Sequence, residues 1–175
     1  MIHGEKFIPL PPDHHRVILV ANVEKIDLGV LDKLPGGPLS GRDVFIEFNK
    51  AVHHRELLAL FAKRHIKPEV QLIVRAGMQR SWNAPADFEQ FDFVYFLPRR
   101  NGLATLDFFR EYQRKTGKHP TTGFAIWSIL RKQTSRPVVL LGFDPIGDHT
   151  SQHCAAHAWE HEAAVYRQEK ALCVK

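Results

Sequence analysis

Cysteine is almost absent from this chain: Cys154 and Cys173 are the only two in 175 residues. Two are too few for a disulfide scaffold, and they read as reduced thiols. Long hydrophobic runs are missing as well, since no stretch approaches the roughly 18 apolar residues that a membrane span needs. The first segment, "MIHGEKFIPLPPDHH", has a polar start and three prolines in place of a basic region followed by a long apolar stretch. It therefore predicts no secretion signal, and the expected location is cytoplasmic. No cluster of Lys and Arg interleaved with aromatics stands out, so nucleic acid is not an expected partner. Internal repeats and low-complexity tails are lacking too, which removes solenoids and disordered arrays.

What is there describes a globular chain. The composition is 44% hydrophobic and 25% charged, and the length suits one well-buried core better than two. A single domain over 1–175 is expected. A net charge of +5 favours an anionic ligand, although the charge is spread evenly along the chain. The oligomeric state is not specified by any of these features.

Short apolar runs mark five strands: "RVILVAN" (16–22), "RDVFIEFN" (42–49), "PEVQLIV", "FDFVYFLP" and "RPVVLLGFD". Helical periodicity separates several of them, in "KAVHHRELLALFAKRH", "LATLDFFREYQRK", "TGFAIWSILRK" and "CAAHAWEHEAAVYRQEKAL". Strands alternating with helices predict an α/β fold, a Rossmann-like, mostly parallel sheet with helices on both faces. In such a sheet ligands bind at the carboxyl ends of the strands. Asn22 and Asn49 both end apolar runs there. Each amide can bond a phosphate, a ribose hydroxyl or a base edge, and each is equally a common turn residue. In "HPTTGFAIW" (119–127), Thr121, Thr122 and Gly123 precede an apolar helix. Unpaired backbone N–H groups and the helix dipole make such a mouth suited to an anion, although Thr is also an ordinary cap.

With these residues in view, the chain resembles the family 29 sialyltransferases. "RVILVAN" followed by "DVFIEFNKA" is similar to their first sialyl motif, in which two asparagines hold the nucleotide. "HPTTGFAIWSIL" with "PVVLLGFDP" is similar to the second, and "HAWEHE" (157–162) to the last short motif, a His and a Glu separated by four residues. Phe48 stands where that family usually has Arg, and the family's disulfide has no counterpart. The resemblance implies a compact, sialyltransferase-like GT-A variant. It would bind a CMP-activated sugar, sialic acid or a related one, and transfer it with inversion to a glycan acceptor, without a metal or other cofactor. It makes Asn22, Asn49, Thr121, Thr122 and Gly123 nucleotide-binding residues and His157 the catalytic base. His149 or His153 would contact the phosphate. Glu162 lies about 140° around a helix from His157 and would brace the helix start or a nearby loop.

Two readings of other classes use the same residues. His149, His153, His157 and His161 recur every fourth position, and on one continuous helix they would form a stripe able to bind zinc. The stripe needs a helix that begins near His149, whereas a base at the mouth of a cleft needs one that begins near His157. The third reading is a nucleotide-binding module without turnover.

Overall fold

The computed structural model describes residues 8–75, 91–97, 107–143 and 157–174. Strand β1 spans Arg16–Val20 and leads through a 3-10 turn, Leu28–Lys33, to β2, Asp43–Phe48. Helix α1, His54–Lys63, then connects to β3, Glu69–Arg75, and β4 follows at Phe93–Leu97. Helices α2, Asp107–Thr116, and α3, Thr122–Gln133, precede β5, Val138–Leu141. Helix α4, Trp159–Gln168, precedes β6, Leu172–Val174. The six strands form one sheet in the order β4-β3-β2-β1-β5-β6, and every pairing is parallel.

The strands are apolar on both sides because both faces are covered. Val17, Leu19, Val44, Ile46 and Leu140 pack with Tyr112 of α2, Phe124, Ile126 and Leu130 of α3 and Tyr166 of α4. The alternate residues Ile18, Val20, Phe45, Leu72 and Val139 pack on the other face with Leu31 of the 3-10 turn and Leu57 and Phe61 of α1. The expected α/β architecture with a parallel sheet is therefore the one observed.

The sixth strand was not expected, because "KAL" looked like the end of the last helix. Lys170 adopts φ 50, and the amides of Lys170 and Ala171 turn back to the carbonyls of Arg167 and Tyr166. This left-handed C-terminal closure normally uses glycine, so the residue type concealed the stop. Helix α1 ends in the same way, with His65 at φ 53 and Ile66 N–H returning to the Phe61 carbonyl. Helix α1 also starts later than its periodicity suggested: Asn49 (φ 50) and Ala51 (φ 45) form a non-helical turn before His54. The start of α4 is Trp159 instead of Cys154, and residues 144–156 lie outside the described ones.

Candidate functional site

In a parallel sheet a ligand crevice opens where the strand order reverses, outside the carboxyl ends. Here the reversal falls between β1 and β5. The chain leaving β1 carries Ala21, Asn22 and Val23, and the chain leaving β5 carries Gly142 and Phe143. Gly142 has φ 75, and a Cβ there would lie 3.0 Å from Ile26 and 3.2 Å from Val23. Only glycine lets these two exits pass so closely.

Asn22 is exposed at this rim. Its Nδ2 donates to the Phe48 carbonyl at 2.6 Å, and its Oδ1 accepts from the Val52 amide at 3.4 Å. The Asn49 amide donates to the Ile73 carbonyl at 2.9 Å. The two asparagines are thus brought to one turn, with Asn22 holding the carbonyl next to Asn49. His53 adds a second tie between the same loops, since its Nε2 lies 2.7 Å from the Val23 carbonyl.

The mouth of α3 lies at the same rim, because α3 runs back along β5 and its start touches Phe143, just beyond that strand. Thr121 caps the helix, its Oγ1 accepting from the Phe124 amide at 3.1 Å. The helix mouth already holds an anion, the side chain of Glu162, which is 2% exposed. Glu162 accepts from the Thr121 amide at 2.7 Å, from the Thr121 hydroxyl at 2.7 Å and from the Tyr112 hydroxyl at 2.8 Å. Burial first, and the neighbouring Glu162 charge second, raise the Tyr112 pKa far above its usual value and keep it a donor. Thr122 is buried. The space beside Gly123 is taken by the Phe143 ring, which a Cβ would meet at 2.5 Å. Ring packing therefore accounts for that glycine in this structure.

His157 sits two residues ahead of α4, half-buried, with its ring edge-on to Trp159. Its Nδ1 lies 2.9 Å from the His119 carbonyl. A carbonyl only accepts, so Nδ1 carries the hydrogen and Nε2 is the basic nitrogen of the neutral ring. Lys118 Nζ donates to the His157 carbonyl at 3.2 Å. Segment 118–121 thus holds His157 at one end and Glu162 at the other. Because α4 starts at Trp159, His157 lies off the helix that carries His161. The ring of His161 instead meets Tyr112 edge-on, 5.3 Å between centroids. His149 and His153 lie outside the described residues, and among the described residues no group of three or more His, Cys, Asp or Glu side chains could hold a metal.

One pair escaped the sequence reading. Glu47 of β2 and His54, the first residue of α1, are 1% and 4% exposed, with Oε2 and Nδ1 2.5 Å apart. Glu47 Oε1 and His54 Nε2 are both buried without a hydrogen-bond partner. The His54 ring stacks on Phe91 with 4.0 Å between centroids. Burial raises the Glu47 pKa, and the His54 hydrogen bond partly offsets it. A signal was available: Glu47 interrupts an apolar strand on the side of Phe45, and a carboxyl group at a buried position calls for a polar partner.

No family model matches the chain, and no curated protein matches it either. Among solved structures it is similar to the crystal structure of the sialyltransferase CST-II in complex with trisaccharide acceptor and CMP. The sequence identity is 10% and the TM-score 0.37, over 90% of this chain and 79% of that one. A likeness that distant assigns no chemistry to these residues. Among the described residues, no helix is long and apolar enough to cross a membrane.

Proposed function

We propose that this protein is a glycosyltransferase-like enzyme that takes a CMP-activated sugar, sialic acid or a relative, at the crevice between β1 and β5 and transfers it with inversion to a glycan acceptor. The observation that carries the reading is the His157 ring, which is set ahead of a helix at the carboxyl rim. Its Nδ1 is committed to a fixed carbonyl, and its other nitrogen is basic. An imidazole held in one tautomer is equipped to take the proton from an acceptor hydroxyl as that oxygen attacks the anomeric carbon. The new bond forms from the acceptor oxygen, the bond to the nucleotide phosphate breaks, and CMP leaves with the electron pair. Asn22 and Asn49 would hold the nucleotide, the first amides of α3 at Thr122 and Gly123 would face the phosphate, and Thr121 with Glu162 would keep that helix mouth in shape. His149 and His153 are proposed as further phosphate donors. No metal or cofactor is needed for this chemistry.

A non-catalytic nucleotide-binding module is the second reading, and one observation favours it: Glu162 already binds the amide and the hydroxyl of the cap residue Thr121. Calorimetric titration with CMP, UMP, GMP and AMP separates the outcomes at the binding level. Preference for CMP supports the nucleotide assignment, and equal weak binding or none removes it. Transfer from a CMP-sugar to a panel of glycans then tests turnover. His157→Ala is expected to lower the rate about 100- to 10,000-fold while binding CMP nearly as well as the parent. A parent that binds CMP without transfer moves the module reading ahead.

A further inference from the structure

The turn between β2 and α1 concentrates features that the ligand rim does not explain. Its residues Asn49 and Ala51 have φ 50 and 45, a left-handed conformation that asparagine tolerates but that alanine adopts only when its surroundings hold it there. The holding groups are titratable. His53 is 4% exposed and its two ring nitrogens face only acceptors, the Val23 carbonyl at 2.7 Å and Glu56 Oε2 at 3.0 Å. The imidazolium alone donates to both, and a neutral ring must give up one of them. Beside it, Glu47 and His54 meet in a buried contact, with one polar atom of each unpartnered.

Other charges around the pair are few among the described residues. On β2, Asp43 shares the Glu47 face but is engaged with Arg16. Across β3, the register partner of Glu47 is Leu72, and Phe91 covers His54. On α1, Glu56 reaches the pair only through His53, and Arg64 at the far end is paired with Asp32. The pair therefore answers to its own proton and to that of His53.

We propose that this turn is a proton-operated latch, closed when one proton is shared by Glu47 and His54 and a second rests on His53, and loosening as pH rises. In the loaded state the buried pair carries no net charge and His53 ties α1 to the loop after β1. Loss of the shared proton leaves a buried carboxylate with one oxygen unpartnered, which is costlier than an unpaired neutral atom. Loss of the His53 proton removes the tie to Val23 or to Glu56. The same turn carries Asn49 and receives Asn22, so its release takes apart the rim of the crevice. The proposal holds whatever ligand that crevice takes.

Amide hydrogen exchange on the full-length chain tests it, with rates converted to protection factors so that the ordinary pH dependence of exchange cancels. The reporters are the amides of Asn49, Ala51 and His54, which donate to the carbonyls of Ile73, Phe48 and Ala51. Their protection is expected to fall about tenfold or more between about pH 5.5 and about pH 8, the range in which histidines change charge, while β1 and β5 keep theirs. Glu47→Gln should flatten that fall. His53→Gln, which keeps a donor for only one acceptor, should show low protection of the turn at both pH values. A wild-type fall that is absent or shared equally by the whole sheet overturns the latch. So does a Glu47→Gln variant that keeps the full response, or a His53→Gln variant that behaves as the wild type.

Discussion

Strand β2 carries two buried carboxyl groups on one face, Asp43 at its amino end and Glu47 near its carboxyl end, and the two ends treat them oppositely. Asp43 Oδ2 accepts from Arg16 Nη2 at 3.0 Å and from the Ser40 amide at 2.8 Å. Its Oδ1 faces Arg16 Nε at 2.9 Å as an ion-pair contact. Arg16, fully buried, spends its remaining donors on the carbonyls of Pro35, Gly37 and Pro38. That pins the Gly/Pro-rich turn over the amino rim. Glu47 has one contact, to His54, and an unpartnered oxygen. At the amino rim a buried ion pair, tied in by four further hydrogen bonds and one ion-pair contact without hydrogen-bond geometry, serves stability. At the carboxyl rim Glu47 and His54 have only their mutual hydrogen bond, and the left-handed Asn49 and Ala51 follow directly, at the end where a parallel sheet places its ligands.

The largest effect expected from this contrast is at the ion-paired end. Arg16→Ala leaves the Asp43 carboxylate buried with only the Ser40 amide and a partly exposed His15. The expected loss is about 3 to 5 kcal/mol in urea denaturation. Exchanging both partners for apolar residues, Arg16→Met with Asp43→Leu, should cost clearly less, because no lone charge remains. If Arg16→Ala unfolds at nearly the parent's urea concentration, the amino rim is not the structural end and the comparison breaks.

An intermediate effect is expected at Glu162, where the two roles meet. Glu162→Ala strands the Thr121 amide, the Thr121 hydroxyl and the Tyr112 hydroxyl, and should cost about 2 to 3 kcal/mol in thermal or urea unfolding. Glu162→Gln, which still offers one acceptor oxygen, should cost less. Nitrogen chemical shifts of the His157 ring add a readout of function. Through segment 118–121 the Ala variant is expected to lose the single tautomer with hydrogen on Nδ1, while the Gln variant keeps it. A ring that keeps its tautomer in both shows that His157 is held by the His119 carbonyl without help from Glu162.

The elements were legible in the sequence wherever periodicity was strong. The five apolar runs from "RVILV" to "PVVLL" became strands, and Thr121 capped α3 as its residue type predicted. Boundaries were lost where the chain puts residues other than glycine in left-handed positions, Asn49, Ala51, His65 and Lys170, since nothing local distinguishes a lysine that stops a helix from one that continues it. At the site, the placement of Asn22 and Asn49 on one rim followed from strand ends alone. What Glu162 reaches across to depends on the packing of α4 against α2 and α3, a contact 41 residues away in sequence at Thr121. The Glu47–His54 pair was readable in principle from a carboxyl group in an apolar strand, but the pattern does not say which partner meets it.

The smallest effect is the most diagnostic of the carboxyl rim, and it concerns the sign of a pH dependence. The folded-state pKa of Glu47 is raised above that of an ordinary glutamate, burial being the main cause. A raised pKa means that the folded protein holds this proton more tightly than the unfolded chain does. The resulting stability is fully present below the unfolded value and is lost as pH rises through the folded one. Glu47→Gln has no carboxyl proton to lose, so the difference in unfolding free energy between variant and parent reports the titration of the Glu47–His54 pair and cancels that of distant groups. The difference should be near zero or unfavourable to the variant at about pH 4, and it should grow to favour the variant by about 1 to 2 kcal/mol at about pH 7.5, the scale of a buried charge relieved of incomplete hydrogen bonding. The same exchange at the other end, Asp43→Asn, should destabilise at both pH values, because Arg16 loses its counter-charge. A Glu47→Gln profile that runs parallel to the parent, or that destabilises at neutral pH as Asp43→Asn does, makes Glu47 a second structural anchor and erases the distinction between the two ends of β2.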